Sequence, residues 1–165
     1  MIISYAVRRC SGDRDYAELS RFYLKNCRDF DDGYMLQDGL LYLISTLSHS
    51  RFLLYLDSEE RLIGLLQYHW DPEFESVFID SAILAKELRS SRFFYEGLRD
   101  MVQAVREDYP EGQSLYFYAL ATNRYTNRLY QKFAEFTEVR ERNGRKENLY
   151  TADMARLSQY LKLPW

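Results

Sequence analysis

The sequence predicts a mixed α/β fold, and three observations carry that prediction. Short apolar runs rich in β-branched and aromatic residues, such as "RFLLYLD", "RLIGLLQYHW" and "SVFIDSAIL", alternate with longer stretches whose apolar residues recur at helical spacing. In chain order these periods read β-α-α-β-β-β-α-β-α-β-β. One strand, helix, strand unit, residues 77–121, calls for a right-handed parallel crossover, so a mostly antiparallel sheet flanked by helices should hold one central parallel pair.

The elements follow in order. Residues 2–8, "IISYAVR", make a first strand that ends at the turn-like "CSGD". Two helices come next: 13–27 places Tyr16, Leu19, Phe22 and Tyr23 on one side, and 34–48 does the same with Leu36, Leu40, Leu43, Ile44 and Leu47. The three apolar runs quoted above, separated by "SEE" and "DPEFE", form an antiparallel meander. In 92–107, Phe93, Phe94, Leu98, Met101, Val102 and Val105 line one helical stripe, closed by Pro110 and Gly112. The strand "SLYFYALA" occupies 114–121, and a further amphipathic helix spans 123–136, "NRYTNRLYQKFAEF". Extended "FTEVRER", a turn at Asn143 and Gly144, and "ENLYTADM" give a closing hairpin, followed by a short terminal helix.

A chain of 165 residues with 47% hydrophobic and 16% aromatic content has apolar surface enough to offset chain entropy in one domain, 1–165. Its formal charge of −3 offers no broad field for a polyanion, so no nucleic-acid partner is expected. Alternating Tyr116 and Tyr118 more often pack than stack bases. The two cysteines, Cys10 and Cys27, lack metal-ligand spacing and read as reduced thiols; His49 and His69 stand apart from other ligands, so no metal is expected, and His69 is a structural residue or a proton relay. The N-terminal apolar run is too short for a signal peptide and no stretch approaches membrane-spanning length, which points to a cytoplasmic protein with no membrane partner.

Ligands of an open sheet gather at the carboxyl ends of its parallel strands, here Ile83 to Lys86 and Ala121 to Asn123. After the first comes "ELRSSRFF", which opens a helix with Arg89, Ser90, Ser91 and Arg92. Unpaired N–H groups beside hydroxyls and guanidinium groups suit a phosphate, although serine capping with solvated arginines accounts for the same residues.

The order of elements and these residues together resemble the GNAT superfamily of acyl-CoA-dependent N-acetyltransferases, over most of the chain. The segment "N..T..LYQKFA" is similar to the family's Asn, small residue, Leu-Tyr, Lys, Gly pattern at Asn123, Thr126, Leu129, Tyr130, Lys132 and Ala134. At 89–94 only Arg89 matches the family's pyrophosphate loop; Ser90, Arg92 and Phe94 stand where small residues, often glycines, are usual.

The resemblance implies an N-acetyltransferase that moves an acetyl group from acetyl-CoA to a primary amine of a small molecule or peptide by direct attack in a ternary complex. It implies pantetheine pairing with Ile83 and Leu84, a pyrophosphate held by Arg89, Ser90, Ser91 and Arg92, and Asn123 as a cofactor contact or a helix cap. Tyr130 would protonate the departing thiolate as general acid, unless it is merely packed. Asp80 or Glu75 would serve as base, and Asp29, Asp31 and Asp32 in "RDFDDGY" would attract a cationic amine or form a solvated acidic loop. Homodimers are common in the family. The altered loop also leaves open a non-catalytic module of the same fold with weakened CoA binding.

Overall fold

The computed structural model describes residues 4–29, 35–89, 92–142 and 144–164. Among these residues seven strands, β1 (Ala6–Arg9), β2 (Arg51–Leu56), β3 (Leu62–Asp71), β4 (Ser76–Leu84), β5 (Ser114–Leu120), β6 (Glu135–Arg142) and β7 (Arg145–Asp153), form one sheet in the order β1-β2-β3-β4-β5-β7-β6. Among the described residues five α-helices accompany them: α1 (Gly12–Asn26), α2 (Leu36–Thr46), α3 (Phe93–Asp108), α4 (Arg124–Tyr130) and, after the last strand, α5 (Met154–Tyr160). The expected order is therefore present, with the parallel pair at β4 and β5, matched at Val77 to Leu115 and Phe78 to Tyr116. No helix among the described residues is long and apolar enough to cross a membrane.

Residue spacing explains each element. In α1, Leu19 and Tyr23 are four apart and both buried; with Cys27 and Leu43 of α2 they pack on Phe52 and Leu54 of β2, Leu65 of β3 and Ile83 of β4. Each such side chain, fully buried, contributes roughly 1.5–3 kcal/mol. Asp15 fixes the entry to α1, accepting from the Ser11 N–H at 2.9 Å and from Arg8 at 2.5 Å. In α2, the Asp38 carboxylate takes the Met35 N–H at 3.0 Å, an acidic first turn that suits the helix dipole.

The chain divides into two compact units, Met1–His69 with Asp80–Gly97 and Trp70–Ile79 with Leu98–Trp165. The first holds the core just described and the antiparallel ladders β1 to β2 and β2 to β3. On the other face of β2, Tyr55 packs against Phe93 at 5.9 Å and donates its hydroxyl to the Gly97 carbonyl at 2.8 Å. Gly64 is needed beside it, since a Cβ there would stand 3.1 Å from Leu84 and 3.2 Å from Tyr55. In the second unit, β5 pairs antiparallel with β7 from Ser114 to Leu120, and β7 pairs with β6, whose burial pattern is that of an exposed edge.

The first strand and the fourth helix differ in extent from the sequence expectation. The first strand is seen from Ala6, residues 1–3 lying outside the described ones. Gly144 adopts φ +74°, as the closing turn requires. The helix expected over 123–136 ends at Tyr130: the N–H groups of Lys132 and Phe133 reach back only three residues, to Leu129 at 3.2 Å and Tyr130 at 3.1 Å, and β6 starts at Glu135.

Candidate functional site

In the second unit, α4 follows β5, and Asn123 caps it by accepting the Thr126 N–H at 3.0 Å. Four residues on, Asn127 is buried and uses both ends of its amide. Its Nδ2 donates to the carbonyls of Leu120 at 2.8 Å and Asn123 at 2.7 Å; its Oδ1 accepts from Asn148 at 2.7 Å and Tyr150 at 2.6 Å. One side chain thus ties the end of β5, the start of α4 and β7 together. That fixes the orientation of the short helix carrying Tyr130.

Tyr130 is held edge-on by Phe117 at 4.7 Å, Tyr150 at 5.7 Å and Phe133 at 5.9 Å between centroids. Edge-to-face rings at such distances fix the plane of the phenol. Its ring is half-buried, and among the described residues its hydroxyl makes no hydrogen bond. Burial, with the neighbouring Tyr150 adding to it, pushes the phenol up to about 12 from its ordinary 10. A packed ring with an uncommitted hydroxyl that stays protonated can deliver a proton.

The other side of β5 carries Tyr116 and Tyr118. Tyr116 stacks on Phe78 at 4.8 Å and donates its hydroxyl to Asp71; Tyr118 lies under the Arg142 guanidinium at 4.1 Å and accepts from Arg140 at 3.2 Å. Both rings are engaged within the unit.

In the first unit, Asp80 is the centre of a buried polar cluster. Its side chain is 1% exposed and accepts from the Tyr42 hydroxyl of α2 at 2.9 Å and, at 3.5 Å, from Ser50; its Oδ2 lies 2.7 Å from His69 Nδ1. Gln67 extends the cluster, donating to Thr46 at 2.7 Å and Ser50 at 3.0 Å. Period-2 alternation along β3 puts Leu65, Gln67 and His69 on one side, which is why apolar core gives way to polar groups towards the strand end. On β4, Asp80 and Ile83 both lie against groups of α1 and α2, so the strand departs from strict alternation between them.

Arg89 belongs to the same unit. Its Nε donates to the Leu84 carbonyl at 3.0 Å, and Nη2 reaches Asp29 at 2.8 Å. Arg92 is largely exposed ahead of α3 and pairs with Glu96 at 3.0 Å. Phe93 turns inward onto Tyr5 at 4.7 Å. Ile83 sits in the core, and its neighbour Leu84 has its carbonyl engaged by Arg89. Ser90, Ser91, Asp31 and Asp32 lie outside the described residues.

Of the sequence candidates, the structure joins Arg89, Leu84 and Asp29 in one chain of contacts and gives Asp80 three polar neighbours. Glu75 is exposed in the β3 to β4 turn with φ +47°, a turn residue by geometry. Tyr42, Ser50 and Asn127 went unnoticed from sequence. Tyr42 falls among the apolar residues of α2, and Asn127 looks like one more polar residue of an exposed helix; only tertiary contacts distinguish them.

No protein-family model matches the sequence, and no curated protein sequence matches it significantly. Solved structures do. A GNAT-family protein of Desulfovibrio desulfuricans superposes with a TM-score of 0.71 at 15% identity, over 92% of this chain and 99% of its own. A GNAT family acetyltransferase from Elizabethkingia anophelis with acetyl-CoA bound gives 0.66 at 15%, covering 90% and 97%. Spermidine N-acetyltransferase from Vibrio cholerae in complex with CoA and spermine gives 0.65 at 16%, covering 93% and 97%.

Proposed function

We propose that this chain, whose fold is that of the GNAT acetyltransferases, transfers an acetyl group from acetyl-CoA to a primary amine by direct attack in a ternary complex. Fold alone does not carry chemistry. What supports the reading is Tyr130: its position in the Asn, Leu-Tyr, Lys segment, its three-ring clamp and its uncommitted hydroxyl.

Acetyl-CoA supplies an activated acyl thioester and, once attacked, a thiolate leaving group. The chain's own residues have three tasks. Tyr130 donates its proton to the departing sulfur, and burial keeps the phenol in its protonated form until then. Arg89 and Arg92, with the first-turn N–H groups of α3, are a donor set that fits an anionic phosphate. Asn123 and Asn127 orient α4, and so Tyr130. Asp29 is committed to Arg89, so attraction of a cationic amine by the loop falls to Asp31 and Asp32. Polyamines head the acceptor candidates because structures of this fold include spermidine N-acetyltransferases.

Arg89 also favours a second reading. Its two bonds, to Leu84 and Asp29, leave less of the guanidinium for a pyrophosphate, as in a binding module with weakened CoA affinity. Melting with and without acetyl-CoA separates the two, since a ligand bound only by the native state raises the midpoint. The transferase reading expects a clear rise at millimolar acetyl-CoA together with amine-dependent release of CoA thiol. No rise at millimolar acetyl-CoA, with no turnover for any amine, selects the module.

A further inference from the structure

We propose that the outer face of α4, with the cleft between the end of that helix and α5, binds a single strand of nucleic acid. The whole surface lies in the second unit. From Gly112 to Ala134 the chain holds no Asp or Glu, and its cations, Arg124, Arg128 and Lys132, recur every four residues. All three are exposed, and among the described residues their side chains make no ion pair or hydrogen bond. Arg140 and Arg142 of the same unit, by contrast, each meet a glutamate, at 2.6 and 3.0 Å. Four residues of helix advance about 6 Å, so Arg124 and Arg128 stand one above the other on α4, and Lys132 follows just past its end. Folding stability does not call for this pattern. Like charges four apart on a helix repel, and a cation in the first turn opposes the helix dipole, which favours the acid that α4 lacks there.

Lys132 also lines a cleft of about 320 Å³, together with Gln131, Phe133, Arg156, Gln159 and Tyr160. Arg156 pairs there with Glu135, but the two side chains are 69% and 72% exposed, and so open a pair contributes little and is readily exchanged for a phosphate. Phe133 and Tyr160 lie 6.2 Å apart, their planes 36° from parallel, and Tyr160 is 42% exposed. Each glutamine amide carries both donors and an acceptor, the functions that a base edge also presents. Cations that follow a backbone, beside rings and amides that take an unstacked base, are the elements of single-strand recognition; a duplex keeps its bases stacked. Arginine forks fit phosphate oxygens. The formal charge of −3 belongs to the whole chain, whereas this face has the sign that a phosphate backbone attracts, so the expectation of no nucleic-acid partner, drawn from bulk charge, is set aside.

The test is the fluorescence anisotropy of a labelled single-stranded RNA of about ten nucleotides titrated with the full chain. A DNA strand of the same sequence, a duplex, polyglutamate and acetyl-CoA serve as competitors. Three neutralised phosphates predict that log K falls with log salt at a slope of about −2, and that Arg124→Ala, Arg128→Ala and Lys132→Ala each reduce the slope by about 0.7. Tyr160→Ala should weaken binding at least about fivefold with the slope unchanged, as loss of one stacked base does. The DNA strand should displace the RNA, and the duplex should do so at least about tenfold less well. No anisotropy change at low salt overturns the proposal. So does a parental salt slope in the double variant Arg124→Ala, Arg128→Ala, whose exposed side chains leave folding intact. Displacement by polyglutamate as effective as by the strand would mark an acidic-peptide site instead, and displacement by acetyl-CoA would mark the cofactor's own phosphate seat; either result also overturns it.

Discussion

Replacing Tyr130 by Phe removes one oxygen and nothing else from the proposed mechanism. The three ring contacts, at 4.7, 5.7 and 5.9 Å, depend on the ring and survive. The lost hydroxyl has no hydrogen-bond partner among the described residues, so no group is orphaned. Folding stability should then move by less than about 0.5 kcal/mol and the Tm by less than about 2 °C. Loss of a positioned general acid costs about 10²–10⁴ in turnover, or roughly 3–5 kcal/mol of transition-state stabilisation. Release of CoA thiol, followed with a thiol-reactive dye at saturating acetyl-CoA, reads this directly.

The pH dependence carries its own sign. The acid works while protonated, so activity from Tyr130 is lost only as pH rises through about 12 instead of 10. A folded-state value raised in this way contributes stability that is present below pH 10 and lost between 10 and about 12, and Tyr130→Phe should lack that part of the alkaline loss. A variant that keeps turnover within threefold of the parent would remove Tyr130 from the chemistry and leave it a packing residue.

Asn127→Ala should lower stability by about 3 kcal/mol or more, because Tyr150 and Asn148 would each lose a buried acceptor; a Tm drop of roughly 6–12 °C checks it. Gly64→Val should cost about 1–3 kcal/mol by overpacking, since even its Cβ would meet Leu84 at 3.1 Å and Tyr55 at 3.2 Å; urea midpoints measure it. Cys10 is pushed up to about 11, first by burial and then by Asp15, so at pH 8 its alkylation by iodoacetamide should be about 100-fold slower than that of a small free thiol. Labelling of Cys10 at the free-thiol rate would contradict this.

The order of strands and helices was legible because it rests on apolar periodicity, which local sequence records: the run "SVFIDSAIL" became β4 with the same bounds. Tertiary demands were not legible. Phe133 and Phe136 continue the helical pattern of α4, yet the chain leaves the helix after Tyr130, and the two rings separate, Phe133 packing on Tyr130 while Phe136 sits half exposed on edge strand β6. Period 2 puts Phe78, Asp80 and Ala82 on one face of β4, yet Asp80 and Ile83 both meet residues of α1 and α2, partners that no local window contains. The candidate site divides in the same way. Tyr130 was readable from its segment, whereas the Asp80, His69 and Tyr42 cluster joins residues 11 and 38 positions apart, a distance over which a single sequence carries no signal.

Acetyl transfer itself is the claim on which these roles depend. The most direct measurement is the mass of the products after incubating the purified chain with acetyl-CoA and a panel of primary amines that includes spermidine and spermine. The account predicts at least one amine heavier by an acetyl group, with an equal amount of CoA and a sharp fall in both with Tyr130→Phe. No acetylated amine above the enzyme-free blank, together with an unchanged melting midpoint at millimolar acetyl-CoA, would contradict it.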